Sequence, residues 1–203
     1  MGFLARELVQ LDPDSRCRLP LPQRAELDAV GQKLYDDVLN PKGGTIRGLK
    51  GPSGIQLHSP ALSHYARPLN RYLRYEAGFG GRVRELAILT TARECDSQFE
   101  WAAHENEALR EGISPQIIAI VKHRTSTEGL DDADAVIVEL GRAIFGARRV
   151  APAIFARALK QFGRRKLVDL FSLMGNYAAT AALLTAFDMQ LDEGQAPLLP
   201  PRT

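Results

Sequence analysis

The sequence lacks the features of several large classes of protein. It has only two cysteines among 203 residues, Cys17 and Cys95, which are too few for a disulfide framework or a zinc cluster. Its 26 basic and 24 acidic residues almost balance, giving a net charge of +2. This balance gives no support for nucleic acid or a membrane surface as the main partner.

Long apolar runs and targeting signals are also missing. No run reaches the roughly 18 apolar residues of a membrane-spanning helix, and the opening MGFLARELVQLD has charged residues where a secretory signal has its apolar stretch. Arg6 stands where a myristoylation signal beginning at Gly2 requires Ser or Thr. We therefore expect a cytoplasmic protein.

Apolar residues recur at three- and four-residue steps along most of the chain. From Gln23 the steps fall on Leu27, Val30, Leu34 and Val38, which predicts a helix. Comparable patterns continue from Ser59, where an internal Pro68 should kink or split one helix. Further helices are predicted to start after a break near residues 95–97, at Ser114-Pro115 and at Asp131, and a short helix ending at Gly163 precedes the long final apolar helix. The alternation typical of strands is missing. The sequence predicts an all-α protein of about seven or eight helices. The predicted organisation is an N-terminal arm (1–22), a helical domain (23–194) and an extended tail (195–203).

A glycine-rich segment interrupts this pattern at residues 40–58. It contains five glycines together with Arg47, Lys50, Gln56 and His58. A long loop inside a compact domain is more often functional or mobile than a plain connection. A solvated surface loop is the alternative interpretation.

The stretch ECDSQFEWAAHE, residues 94–105, holds the candidate chemistry. Glu100 and His104 are four residues apart and share one face of a helix, which Trp101 borders. A break at residues 94–98 allows this helix to fold back on the preceding one, so that Glu85 can approach His104. A carboxylate facing an imidazole in an apolar pocket suits acid–base chemistry.

Spacing alone leaves other interpretations open. His104, Glu100 and Glu85 could together ligate a metal, although neither an HExxH nor an EF-hand spacing is present to support this. A nucleophilic Cys95 would lie out of phase with His104 on one continuous helix, and no Cys-x-x-Cys motif is present. An ordinary buried histidine of the core explains the spacing equally well.

The run RELAILTTARECDSQFEWAAHENEALREGIS resembles the signature region of the carboxymuconolactone decarboxylase family, which includes the alkylhydroperoxidase D-like proteins. Glu85 precedes His104 by 19 residues, small residues precede the histidine, and a Gly-Ile-Ser-Pro turn begins at Gly112. The similarity extends over about residues 60–194. It implies an all-helical trimer or hexamer.

One difference from the family pattern concerns redox chemistry. Peroxidase-type members carry a Cys-x-x-Cys motif whose second cysteine stands four residues before the histidine, and Ser97 and Glu100 occupy these positions here. The resemblance therefore implies no thiol-based peroxide reduction. It implies the activity of the decarboxylase-type members, which need neither these cysteines nor a metal or organic cofactor.

The resemblance implies that a small carboxylated lactone loses CO2, with His104 and Glu85 moving the proton and Glu100 as a second acid. Such an anionic substrate requires cations and a pocket. The expected substrate-binding residues are Arg84, Arg47, Lys50, His58, Gln56 and Trp101. The alternatives are an isomerase or hydratase acting on another small carboxylate, a redox protein using Cys95, and a binding or scaffold protein.

Overall fold

The computed structural model of the chain describes residues 10–42 and 45–201. Gly2, Arg6, Gly43 and Gly44 lie outside these residues. The secondary structure of the described chain is entirely helical, which confirms the predicted all-α class. Its eight α-helices are α1 (Ala29–Leu39), α2 (Pro52–Leu57), α3 (Pro60–Arg71), α4 (Gly81–Glu94), α5 (Gln98–Arg110), α6 (Pro115–His123), α7 (Asp132–Gly141) and α8 (Pro152–Ala186). A 3₁₀ turn spans Arg24–Glu26, and π-helical segments span Tyr72–Glu76 and Arg142–Ala147.

Capping residues set the starts of three consecutive helices. The side chains of Ser97, Ser114 and Asp131 each accept a hydrogen bond from the backbone N–H three residues further on. Such caps satisfy a donor that the first helical turn leaves without an intrahelical partner. The helices that begin after residues 97, 114 and 131 therefore start where the sequence predicts.

Other boundaries differ from the predictions. The first helix begins at Ala29 rather than near Gln23, because Asp28 caps it by accepting a hydrogen bond from the N–H of Gly31 at 2.7 Å. Val30, one of the periodic apolar residues, is 47% exposed. The segment predicted as a glycine-rich loop includes α2, where Pro52 supplies the fixed φ that suits a first helical position.

Pro68 does not split its helix. It lies inside α3, which continues to Arg71, and the change of geometry comes at the π-helical segment that begins with Tyr72. The predicted split at the proline is therefore wrong, and the alternative, a kink, stays a prediction.

The chain divides into two compact units. The first comprises residues 10–71 with Ala182–Gln195, and the second comprises Tyr72–Ala181 with residues 196–201. This division does not test the predicted arm, domain and tail, which stay predictions.

In the first unit, α1 and α2 bury a small apolar cluster formed by Leu34, Val38 and Leu57. The chain before α1 pairs with the segment after α8, since the N–H of Arg18 donates to the carbonyl of Phe187 at 2.9 Å. The Arg16 side chain also donates to the carbonyl of Leu191 at 2.7 Å.

The second unit contains α4 to α7 and most of α8 around the main core. Every residue of α4 from Glu85 to Glu94 is buried. A break at Gly163, with φ 68° and ψ 170°, divides α8 into a short and a long part, as the sequence predicts.

By length and composition alone α8 could cross a membrane, a property shared by core helices of soluble proteins. Leu170, Leu173 and Met174, on one face of its long part, are completely buried in the second unit.

Candidate functional site

A helical hairpin brings together residues that are distant in sequence. Helices α4 and α5 are joined by Cys95–Ser97, where Asp96 adopts φ 51°. The N–H of Ser97 donates to the carbonyl of Ala92 at 2.8 Å, and Arg93 donates to the Asp96 carboxylate at 2.6 Å. These bonds close the turn and allow α5 to run back along α4.

The hairpin places Glu85 of α4 against His104 of α5. The Nδ1 atom of His104 lies 2.7 Å from Oε2 of Glu85, and the two side chains are 4% and 1% exposed. Burial opposes ionisation of Glu85, but hydrogen bonds from His104 and Arg84 and the charge of Arg74 outweigh it and hold the pKa of this carboxyl below its usual value. Glu85 is therefore a carboxylate, which can only accept hydrogen bonds. Nδ1 of His104 must carry the shared proton.

Glu100 lies on the other side of the imidazole ring. Its Oε2 atom is 3.6 Å from Nε2 of His104, which is longer than a hydrogen bond. Burial raises the pKa of the Glu100 carboxyl, and the charge of Glu85 adds to this effect, although His104 and Arg74 partly oppose it. The ring thus separates a carboxyl group with a lowered pKa from one with a raised pKa.

Two further residues near this site were missed by the sequence analysis. The Tyr177 ring of α8 packs edge-on against the His104 ring, with centroids 5.2 Å apart, and burial raises the pKa of its phenol. The Arg74 side chain is 7% exposed and stacks over Tyr75 at 4.9 Å. The spacing of residues did not indicate Arg74, because the π-helical segment shifts the helical register at this point. For Tyr177 the available signal was a single tyrosine within an apolar helix.

Arg84 supports Glu85 from the side opposite the histidine. Its Nε donates to Oε1 of Glu85 at 2.8 Å and its Nη2 to Glu111 at 2.9 Å. The Glu111 carboxylate lies against Gly81, where an added Cβ would come within 1.8 Å of a carboxylate oxygen. A side chain at position 81 would therefore displace the Glu111 carboxylate, and Arg84 is held between two carboxylates.

A model of the carboxymuconolactone decarboxylase family matches residues 60–138. This part of the chain, called the family domain below, is therefore similar to that family. No curated protein and no solved structure gives a significant match to the chain. The matched residues run from the start of α3 into α7 and include Glu85, Glu100 and His104. The closing helix α8, for which the sequence suggested a resemblance to the family, lies entirely beyond the match.

The remaining predicted binding residues occupy different surroundings. Trp101 of the family domain is fully buried, with Lys122 5.4 Å from its ring centre. Arg84 pairs with Glu85 and Glu111. The other four predicted residues belong to the first unit, so their part in substrate binding stays a prediction; they are Arg47, Lys50, Gln56 and His58.

Two of these four have defined contacts. Arg47 pairs with Asp192 at 2.6 Å, and Nε2 of His58 lies 2.9 Å from the carbonyl of Pro20. Both contacts lie within the first unit and hold the glycine-rich segment in place there.

The geometry bears on the two alternative chemistries, a metal site and a reactive cysteine. Over residues 10–42 and 45–201, no three His, Cys, Asp or Glu side chains form a group suited to holding a metal ion. Cys17 is buried, Cys95 ends α4, and neither forms a disulfide in the described chain. The acid–base groups are the ones that the family domain brings together.

Proposed function

We propose that the protein is a cofactor-independent carboxy-lyase that removes CO2 from a small carboxylated lactone. The observation that carries this proposal is the 2.7 Å contact of the His104 imidazole with the Glu85 carboxylate, with Glu100 across the same ring. The match of residues 60–138 to the family supports the proposal, since the family is named after a decarboxylase.

Each of the three groups has a distinct role in this proposal. Glu85 fixes the hydrogen on Nδ1 of His104 and orients the ring, leaving Nε2 as the basic nitrogen. Glu100 faces Nε2 as a buried acid whose pKa is raised. A proton can then pass from Glu100 or from a protonated His104 to an atom of the substrate, which is general acid catalysis.

The reaction needs one proton and no external electrons. The bond between the ring carbon and the carboxylate breaks, and its electron pair moves into the conjugated lactone as CO2 leaves. The resulting dienolate collects negative charge on oxygen, and a carbon then takes the proton that Glu100 or His104 supplies. The buried surroundings of His104, which is 3% exposed, strengthen electrostatic stabilisation of this charge.

A second candidate is an isomerase acting on another small carboxylate. It is favoured by one observation: both ring nitrogens of His104 face carboxyl groups. Such a site can remove a proton from one carbon and return it to another without loss of CO2.

The test is CO2 release from 4-carboxymuconolactone and related carboxylated lactones by the purified, metal-stripped protein. We expect release by the wild type and a loss of about 100-fold or more in His104→Ala, the scale of a general acid–base group. His123→Ala, which changes an exposed histidine, is the matched control and should retain full activity.

Either of two results would reject part of the proposal. No CO2 from any lactone would remove the decarboxylase reaction, and full activity of His104→Ala would remove the role of the histidine. Incorporation of solvent deuterium into the substrate without CO2 release would favour the isomerase.

The proposal also covers the cellular location and the oligomeric state of the enzyme. We propose a cytoplasmic homo-oligomer, a trimer or hexamer, with a small carboxylate as its substrate. One observation supports assembly: Leu62, Tyr65 and Leu69 of α3 are 52%, 75% and 50% exposed. Their spacing of three and four residues forms an apolar stripe on one helix face.

A further inference from the structure

A glutamine side chain on the site helix holds the C-terminal segment through three hydrogen bonds. Oε1 of Gln98 accepts from the N–H groups of Leu198 and Leu199, both at 2.9 Å. Nε2 of Gln98 donates to the carbonyl of Leu199 at 2.8 Å. One side-chain amide thus uses both its acceptor and its donor on neighbouring backbone groups.

The sequence of the bound segment matches this pattern. Residues 197–201 read Pro-Leu-Leu-Pro-Pro, and proline has no backbone N–H. Leu198 and Leu199 therefore supply the only two backbone donors of the segment, and both bind the same oxygen of Gln98. The prolines also restrict the backbone before binding, which lowers the entropy lost when the segment is held.

Apolar contacts complete the attachment. Leu199 is 3% exposed and belongs to the main core cluster, which also contains Trp101 of α5, while Leu198 packs against that cluster. Leu199, in the tail predicted to be extended, is therefore part of the core of the second unit. The tail is attached within one helical turn of the acid–base site.

The position of Gln98 links this attachment to the site. It is the first residue of α5, two residues before Glu100 and six before His104. The side-chain cap of this first turn, from the N–H of Glu100 to the Ser97 hydroxyl, is 3.4 Å long and lies at the weak end of hydrogen-bond lengths. The backbone bond from the N–H of Trp101 to the carbonyl of Ser97 is 3.0 Å long. The three hydrogen bonds of Gln98 are shorter than these contacts of the first turn.

We propose that Gln98 and the segment 197–201 form a clamp that positions the start of α5, and through it Glu100 and His104. Gln98 is a positioning residue, since it acts through the helix and not on the substrate. This inference rests on the proposed function, because it assigns the clamp to the same acid–base site.

The test follows the imidazole signals of His104 by ¹H–¹⁵N NMR, with the signals assigned by their loss in His104→Ala. We compare the full chain, Gln98→Ala, Gln98→Glu and a chain ending at Ala196. A proton held between His104 and Glu85 in the full chain should resonate far downfield. In Gln98→Ala and in the shortened chain this signal should shift or broaden, while the helical circular dichroism is retained. Gln98→Glu keeps the acceptor oxygens and should resemble the wild type more closely than Gln98→Ala.

Rescue in trans distinguishes a clamp from general loss of stability. The synthetic peptide QAPLLPPRT, added to the shortened chain, should restore the His104 signal. If the shortened chain does not fold, Gln98→Ala decides the question, because it keeps all the apolar contacts of the tail. The control is Gln116→Ala, which removes an exposed glutamine from the first turn of α6 and should leave the signal unchanged.

Kinetics supply the second readout. We expect Gln98→Ala to lower kcat by about 10-fold or more, since small displacements of catalytic groups have effects of this size, with little change in KM. A wild-type His104 signal in Gln98→Ala would overturn the clamp. A changed signal in a protein that releases CO2 from no lactone would instead leave the clamp standing and reject the proposed reaction.

Discussion

His104 lies between two carboxyl groups whose pKa values are shifted in opposite directions. Glu85, with hydrogen bonds from His104 and Arg84, favours its ionised form despite burial. Glu100 is buried, and this burial raises the pKa of its carboxyl group. Environments that separate two carboxyl pKa values in this way allow one group to act as an acid while the other stays charged.

These opposite shifts predict how stability changes with pH. A raised pKa in the folded protein means that neutral Glu100 stabilises the fold at low pH, and this contribution is lost as the pH rises through the raised pKa. The lowered pKa of Glu85 has the reverse effect: its contribution is present above the ordinary carboxyl pKa and is lost as the pH falls through the lowered value.

We expect Glu100→Gln to remove the loss of stability on the alkaline side, because glutamine does not ionise. The measurement is the free energy of unfolding by urea between about pH 5 and 9. The matched control is Glu107→Gln on the same helix, whose carboxylate pairs with Arg110 near the surface, and it should keep the wild-type slope. An unchanged slope in Glu100→Gln would show that this carboxyl is already ionised in the folded protein.

At the scale of helices, the sequence predicted those boundaries that local chemistry determines. Ser114 followed by Pro115 marks the start of α6, and Gly163 divides α8. The start of α1 was predicted too early, because apolar periodicity continues upstream through Leu27, where the chain is not α-helical. The pairing of Glu85 with His104 followed from a recognisable spacing, whereas the approach of Tyr177 depends on how α8 packs and has no local signature.

Gly163 provides a test of the break that divides α8. Its φ of 68° and ψ of 170° lie in a region that is nearly restricted to glycine, so Gly163→Ala should lower the free energy of unfolding by about 1–3 kcal/mol.

Gly175, on the same helix, is the matched control, because it is exposed and nothing lies within 4 Å of an added Cβ. Gly175→Ala should raise stability by about 0.5–1 kcal/mol. Chemical denaturation of both variants measures the difference. Equal effects of the two substitutions would contradict the break in α8.

At the scale of the whole chain, the family match is smaller than the unit that contains the site. It ends at residue 138, but Leu170, Leu173 and Met174 of α8 and Leu199 of the tail are buried in the same core cluster. Tyr177, which packs on His104, also lies beyond the match. The matched segment therefore depends on later residues to bury its apolar surface and to enclose His104.

The apolar stripe of α3 leads to the last prediction. Tyr65 is the most exposed of its three residues, and a large apolar side chain on the surface is stabilised when another copy covers it. We expect the wild type to assemble and Tyr65→Glu to shift the mass measured by sedimentation toward the monomer, since a charge in a buried interface loses its hydration. Gln116→Glu adds the same charge to an exposed position on α6 and should leave the mass unchanged. A wild-type mass for Tyr65→Glu would exclude this stripe as the contact between copies, and a monomeric wild type would exclude the homo-oligomer itself.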